Sequence, residues 1–178
     1  MPRNVEIKAR LNDRPAVEQA VRSLATSGPT MLRQTDTFFR VSRGRLKLRI
    51  VDETQGELIF YDRPDQARPK ISQYTRVSIA EPETLATVLT QALGEIGTVR
   101  KTRTLYLIGR TRVHLDEVVG LGDYLELEVV LREDEPTSAG ENEAQQLLQH
   151  LGVAATDLEP RAYHDLLCDS PSDRGTFR

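Results

Sequence analysis

Acidic side chains near the centre of the sequence have the spacing of a metal site. Asp116 precedes a Gly-x-Gly turn, and Glu126 and Glu128 follow it, in runs that alternate polar and apolar residues. Side chains two positions apart in a strand point to the same face, about 6.5 Å from each other. Two carboxylates this close raise each other's pKa unless a cation lies between them. The spacing therefore predicts a site for a divalent metal.

Basic side chains occur at the same alternate spacing elsewhere in the chain. Lys47 and Arg49 form one pair, Lys101 and Arg103 form another, and Lys8 stands on the first run. Arginine forks match phosphate oxygens in bidentate fashion, and lysine adds a point charge. Mg²⁺ and Mn²⁺ prefer oxygen ligands and bridge protein carboxylates to substrate phosphates. Because the chain has no Walker-type or Rossmann-type glycine motif, we expect side chains to bind such a phosphate ligand.

Strands dominate the predicted secondary structure. Eight runs show a period-two alternation of polar and apolar residues, at positions 4–11, 34–42, 45–51, 57–62, 70–79, 99–108, 110–118 and 124–132. Nearly all of the connections between them are short. This pattern is typical of an antiparallel meander that can close into a barrel.

Four helices punctuate the strands. Asp13 is the expected N-cap of the first, and Pro82 opens the second. Ser138 and Glu141 have the spacing of a capping box for the third. A short fourth helix is expected to start near Pro160. The first three are amphipathic, so each needs an apolar surface to pack against.

The charged strand faces have two interpretations. They are either a solvated sheet surface, as in many half-buried antiparallel sheets, or the lining of an interior channel. The second interpretation leaves apolar strand faces on the outside for the helices to cover. We therefore predict an α+β fold, an eight-stranded antiparallel closed β-barrel with amphipathic helices packed outside.

Composition limits the classes of protein that this chain can belong to. Its 178 residues suit one domain, predicted at 1–168, followed by a flexible tail at 169–178. A net charge of -3 argues against nucleic-acid binding, and no apolar run reaches the length of a membrane span. With one cysteine and a charged N-terminal segment, the sequence indicates a cytoplasmic protein.

Five segments together resemble the CYTH superfamily, the triphosphate tunnel metalloenzymes. They are NVEIKAR at 4–10, QTDTFF at 34–39, LKLR at 46–49, KTR at 101–103 and HLDEVVGLGDYLELE at 114–128. The stretch GELIFYDRPDQARPKISQY at 56–74 resembles the class IV adenylate cyclase-like branch. The segments span most of the chain, and five in family order are a stronger signal than any one of them.

The resemblance implies a role for each matching residue. The implied metal ligands for Mg²⁺ or Mn²⁺ are Glu6, Asp116, Glu126 and Glu128. The expected triphosphate-binding residues are Lys8, Lys47, Arg49, Arg76, Lys101 and Arg103, and the expected catalytic residues are Glu6, Lys8, Glu126 and Glu128. ATP or another triphosphate is the implied partner, and the family also makes a homodimer plausible.

Three functions remain open from the sequence. The leading one is cyclisation of ATP to cAMP and pyrophosphate, and its nearest rival is hydrolysis of tripolyphosphate, a nucleoside triphosphate or thiamine triphosphate. The family's Glu-x-Glu-x-Lys signature has Asn4 at its first position here, and an amide contributes no charge to a metal. A non-catalytic receptor for nucleotides or polyphosphate is therefore the third.

Overall fold

The computed structural model describes residues 3–62 and 70–169. In chain order the elements are β1 (Arg3–Arg10), α1 (Arg14–Leu24), β2 (Ser27–Phe39), β3 (Arg45–Val51), β4 (Gln55–Asp62), β5 (Lys70–Ile79), α2 (Pro82–Leu93), β6 (Glu95–Ile108), β7 (Thr111–Val118), β8 (Gly122–Val130), α3 (Thr137–His150), a short 3₁₀ turn (Ala155–Asp157) and α4 (Tyr163–Asp169).

The eight strands form one curled antiparallel sheet. Its hydrogen-bonded order is β1-β5-β4-β3-β2-β6-β7-β8, and β1 also pairs with β8. The pairing of β1 with β8 runs from Asn4 to Arg10, and among the described residues its pairing with β5 runs from Arg3 to Glu6. The predicted α+β fold of eight antiparallel strands with accompanying helices is confirmed.

The main apolar core lies on the outer face of the sheet. Ile7 of β1 and Leu127 of β8 are buried there with Val21 of α1 and Leu148 of α3. Each fully buried aliphatic side chain of this kind contributes about 1.5–3 kcal/mol of transfer free energy. Because α1 and α3 cover the apolar strand faces, the polar faces of the same strands are left for the interior.

Two features near the helix starts test the sequence patterns. The Asp13 carboxylate accepts a hydrogen bond from the Ala16 amide at 3.1 Å, which confirms it as the N-cap of α1. The predicted capping box at Ser138 is wrong, because α3 already begins at Thr137, behind Pro136, and has no side-chain cap. Pro136 occupies the N-cap position with an extended backbone, so Thr137 is the first helical residue and Ser138 already lies inside the helix.

Strand β2 is longer than its sequence pattern predicts. It begins at Ser27, seven residues before the predicted start at Gln34. Most of this added segment is exposed, so no apolar alternation marks it. Backbone pairing with β6, from Ser27 opposite Leu107 onward, makes it a strand.

The predicted flexible tail at 169–178 lies outside the described residues, apart from Asp169, which is the last residue of α4. Within residues 3–62 and 70–169, no helix combines the length and the apolar character needed to cross a membrane.

Candidate functional site

The polar strand faces enclose a cavity of about 450 Å³ inside the curled sheet. Part of its charged lining is well shielded from solvent: Lys8, Lys101, Arg103 and Glu126 are each at most 9% exposed. Charges so buried are found only when they are paired or bind a ligand. The interior interpretation of the charged faces is therefore confirmed for these residues.

A first ion cluster joins β2 and β3. Arg49 donates through Nε and Nη2 to the two carboxylate oxygens of Asp36, at 2.7 and 2.8 Å. Lys47 Nζ donates to Asp36 Oδ2 at 2.7 Å. The strand register explains the contact, because Asp36 lies directly opposite Arg49 and Lys47 follows on the same face.

A second ion cluster joins β6 and β7 in the same way. Arg103 donates through Nε and Nη2 to the two oxygens of Asp116, both at 2.7 Å, and Lys101 adds a bond at 3.1 Å. The hydroxyl of Tyr163, on α4, donates to Asp116 Oδ2 at 3.0 Å. Asp116 is completely buried, so these donors hold its charge away from solvent.

Carboxylates and one imidazole form a third group on β7 and β8. His114, Glu126 and Glu128 each offer a ligand atom within 4.8 Å of the other two. His114 Nδ1 lies 3.5 Å from Glu126 Oε1 and 3.8 Å from Glu128 Oε1. Arg103 reaches Glu126 Oε1 at 3.2 Å, and Arg112 reaches Glu128 Oε2 at 3.2 Å.

This third group fits a divalent cation. His114 Nδ1 is buried and has no hydrogen-bond partner within the part of the chain that the structure describes. A buried polar atom without a partner is costly, and a cation between the imidazole and the two carboxylates would remove that cost. The two carboxylates suit Mg²⁺ or Mn²⁺, whereas imidazole is a more common ligand of other transition metals, so the identity of the metal stays a prediction.

The first strand brings three more predicted positions to the cavity. Glu6 lies opposite Glu128 in the β1–β8 register, and Lys8 lies opposite Glu126. The Lys8 ammonium donates to the Arg161 backbone carbonyl and lies 4.4 Å from the centre of the Tyr163 ring. Asn4 also lines the cavity, and its buried Oδ1 has no hydrogen-bond partner among the described residues.

Arg76 lies at the rim, unlike the other predicted phosphate ligands. Its side chain is 55% exposed and pairs with Glu57 at 3.2 Å, whereas the side chains of Lys101 and Arg103 are at most 5% exposed. It still borders the cavity. An exposed cation contributes less to anion binding than a buried one, because water screens its charge.

The cavity charges shift one another's pKa values. Burial lowers the pKa of Lys47 to about 8, helped by the Arg49 charge and opposed by the Asp36 carboxylate. Burial alone would raise the pKa of Asp36, but Arg49 and Lys47 overcome it and hold that pKa well below its usual value. Asp36 therefore stays ionised at neutral pH, whereas the Lys47 ammonium loses its proton near pH 8.

The same balance applies to the acids of the second and third groups. Burial would raise the pKa of Asp116 and of Glu126, yet both are lowered, chiefly by the Arg103 charge. Burial lowers the pKa of Lys101, helped by Arg103 and opposed by Asp116. Arg103 is thus the main cation that keeps Asp116 and Glu126 charged.

Three site residues were not among those assigned from the sequence. Asp36 lies in the quoted QTDTFF segment, and its place two residues after Gln34 on an alternating run was the available signal. His114 shares a strand face with Asp116, which also hinted at the site. Tyr163 belongs to α4, whose approach to the cavity no local pattern indicates.

Every predicted position lies in or beside the cavity, but not all of them meet in one group. Glu126 and Glu128 come together with His114, whereas the oxygens of Asp116 bind Arg103, Lys101 and Tyr163. Metal binding by Glu6, Asp116, Glu126 and Glu128 stays a prediction, as do the phosphate-binding and catalytic assignments.

Comparisons with known proteins agree with this architecture. The chain is 26% identical to adenylate cyclase CyaB of Aeromonas hydrophila over 99 residues, which is 55% of this chain and 52% of that protein. It therefore spans about half the length of this curated relative. The PH1012 protein of Pyrococcus horikoshii superposes with a TM-score of 0.82 at 21% identity, covering 92% of this chain and 99% of that one.

A plant protein has the same fold at lower similarity. HpAC1 from Hippeastrum superposes with a TM-score of 0.67 at 16% identity, over 93% of this chain and 95% of that one. It is described as a candidate adenylyl cyclase with a dominant triphosphatase activity. The profile of the CYTH domain matches residues 2–163, nearly the whole chain, and the protein therefore belongs to the CYTH domain family.

Proposed function

We propose that this protein is a metal-dependent enzyme that acts on triphosphates, converting ATP to cAMP and pyrophosphate in the manner of class IV adenylate cyclases. The observation that carries the proposal is that one cavity holds two Lys-x-Arg pairs, Lys101 and Arg103 buried and Lys47 and Arg49 partly buried, together with the Glu126, Glu128 and His114 group. A polyanion and a divalent cation are the ligands that such a cavity would neutralise. The CyaB relative of Aeromonas supports the choice of reaction.

The basic side chains would bind the triphosphate. Two pairs of cations line the cavity, Lys47 and Arg49 from β3 and Lys101 and Arg103 from β6, with β2 between these strands. Lys8 borders it from β1, and Arg76 lies at the rim. Phosphoryl transfer is catalysed chiefly by positioning and by electrostatic stabilisation of developing charge. We also propose that the curled sheet forms a closed tunnel around this ligand. The pairing of β1 with both β5 and β8 supports this closure.

The metal site would be built by the acids. Glu126 and Glu128 would hold Mg²⁺ or Mn²⁺ with His114, and Glu6 and Asp116 are the further ligands implied by the sequence. When bound, such a cation neutralises phosphate charge and lowers the pKa of a hydroxyl nucleophile.

In the cyclisation, the ribose 3′-hydroxyl oxygen bonds to the α-phosphorus as the bond from that phosphorus to the bridging oxygen breaks. Pyrophosphate leaves with the electron pair of that bond, and the hydroxyl proton passes to solvent. The cations of the two Lys-x-Arg pairs would stabilise the charge that develops on the leaving pyrophosphate.

Hydrolysis is the second candidate. The dominant triphosphatase activity of HpAC1, a protein of the same fold, favours it. Both reactions need the same phosphate contacts and differ in the nucleophile, which is water in hydrolysis. Chromatography separates them, since cyclisation yields cyclic nucleotide with pyrophosphate and hydrolysis yields diphosphate with orthophosphate.

Glu126→Gln tests the metal role. We expect it to lower turnover of ATP with Mn²⁺ by about 100-fold or more, because it removes one charge from the metal site while keeping the side-chain shape. Glu117→Gln, the same substitution on the exposed outer face of β7, is the matched control and should behave as wild type. Unchanged turnover by Glu126→Gln would exclude Glu126 from the metal site, and ATP binding without turnover in the wild type would favour a receptor.

A further inference from the structure

The two Lys-x-Arg pairs are held by the same arrangement, which occurs twice in the sheet. In each, an aspartate on the neighbouring strand accepts both arginine nitrogens, Nε and Nη2, and the lysine bonds to the same Oδ2. Asp36 lies opposite Arg49, and Asp116 lies opposite Arg103. The second arrangement, on β6 and β7, lies two strands further round the sheet than the first, on β3 and β2.

Asp36 has no evident place in the proposed metal site. It lies outside the His114, Glu126 and Glu128 group found among the described residues, and its two oxygens are occupied by Arg49 and Lys47. It is also a negative charge on the wall of a cavity proposed to bind a polyanion, where Coulomb repulsion would weaken binding. Its presence there therefore calls for a different role.

Ordering the cations is the role that the contacts support. Lysine and arginine side chains lose much rotamer freedom when they are fixed, and a ligand that must fix them binds more weakly. The carboxylate of Asp36 uses two of the five N–H groups of Arg49, which leaves three for another acceptor. Both cations border the cavity while so held.

We infer that Asp36 is a positioning residue for triphosphate binding, which acts by holding Lys47 and Arg49 ready for the phosphate oxygens. This inference rests on the proposed function, because it assumes that the cavity binds a triphosphate. The inference concerns Asp36 and not Asp116, because Asp116 is also an expected metal ligand. A variant of Asp116 would change metal binding and the positioning of the cations together.

The two possible effects of Asp36 on binding have opposite signs. If Asp36 acted only through its charge, Asp36→Asn would remove a repulsion and tighten tripolyphosphate binding. If it positions the two cations, the same change weakens binding, by roughly tenfold for two side chains that the ligand must then order itself. Isothermal titration of the purified protein with tripolyphosphate, without metal and with Mn²⁺, measures the sign.

Measuring Asp36→Asn in a protein that lacks both cations makes the test more decisive. In a Lys47→Met/Arg49→Met protein there is nothing for Asp36 to position, so adding Asp36→Asn should leave affinity unchanged or raise it. A loss of the same size in both backgrounds would overturn the inference, because it would indicate a general structural effect.

Asp36→Glu covers the case in which Asp36→Asn fails to fold. It keeps the charge but moves the carboxylate by one methylene group, so a purely electrostatic role predicts wild-type affinity and positioning predicts a loss. Equal affinity for Asp36→Glu and wild type would overturn the inference while leaving the proposed function intact. A wild-type protein that binds no triphosphate would instead overturn the proposed function and the inference with it.

Discussion

The buried ion pairs at this site are stable because each buried charge has a partner of opposite charge. Arg103 binds both oxygens of Asp116 and also reaches Glu126, with its side chain 5% exposed. Removing one partner of such a pair leaves an uncompensated buried charge and costs about 3–5 kcal/mol. A substitution that removes one of these charges is therefore expected to lower stability as well as ligand binding.

Lys47 makes triphosphate binding sensitive to pH. Its pKa of about 8 in the ligand-free protein means that the ammonium is charged below that value and loses its proton above it. A bound polyanion favours the charged form and raises this pKa. Affinity for tripolyphosphate should therefore fall as pH rises above about 8, by up to tenfold per pH unit.

The comparison with Lys47→Met isolates this effect. Both proteins meet the same ionisation of the ligand, so the ratio of their dissociation constants at pH 7, 8 and 9 reports Lys47 alone. We expect the dissociation constant of Lys47→Met divided by that of wild type to fall as pH rises, because wild-type Lys47 loses its charge over this range. A constant ratio across this range would contradict the assignment of Lys47 as a titrating phosphate ligand.

At the scale of elements, α4 closes one side of the ionic interior. Arg45 pairs with Asp165 at 2.7 Å, and His164 Nε2 donates to the Ile96 carbonyl at 3.0 Å. A Cβ at Gly97 would lie 2.8 Å from His164 Nε2, so only glycine allows the helix to approach β6 this closely. These contacts place Tyr163 against Asp116.

Tyr163 should stabilise the fold through both its hydroxyl and its ring. Tyr163→Phe removes the hydrogen bond to Asp116 but keeps the ring between Lys8 and Lys101, so we expect a loss of about 1.5–3 kcal/mol in the free energy of unfolding. Tyr163→Ala also removes the buried ring and should cost about 3–5 kcal/mol. Urea unfolding measures both, and equal stability of the two variants would show that the ring does not contribute.

At the scale of the whole molecule, the interior acids couple stability to pH. Asp36, Asp116 and Glu126 all have pKa values below their ordinary values of 3.8, 3.8 and 4.5. A lowered pKa contributes stability that is fully present above the unfolded value and is lost as pH falls through the folded one. The protein should therefore keep its stability down to about pH 5 and lose it steeply below pH 4.

Urea midpoints at pH 7, 5, 4 and 3 test this expectation. An Asp36→Asn/Lys47→Met/Arg49→Met protein, in which the first ion cluster is neutral, should lose less stability over the acidic range than wild type. Equal losses of stability in the two proteins would mean that the ion pairs with Arg49 and Lys47 do not lower the pKa of Asp36 in the folded protein.

Much of the fold could be predicted from local patterns. Period-two alternation identified eight strands because a strand with one apolar and one polar face carries that period in its sequence. It missed the exposed start of β2, where pairing with β6 rather than burial makes the strand. The Ser-x-x-Glu spacing at Ser138 was misleading, because Pro136 takes the N-cap position and the helix begins at Thr137.

By itself the sequence determined which residue types stand on each strand face, and hence that Lys47 and Arg49, Lys101 and Arg103, and Glu126 and Glu128 project in pairs. Only the tertiary structure decided which acid each cation meets. That choice depends on strand register and on the curl of the sheet, which bring Asp36 to Arg49, Asp116 to Arg103 and His114 to Glu126 and Glu128 across strands. Such contacts join residues distant in the chain, and no local spacing encodes them.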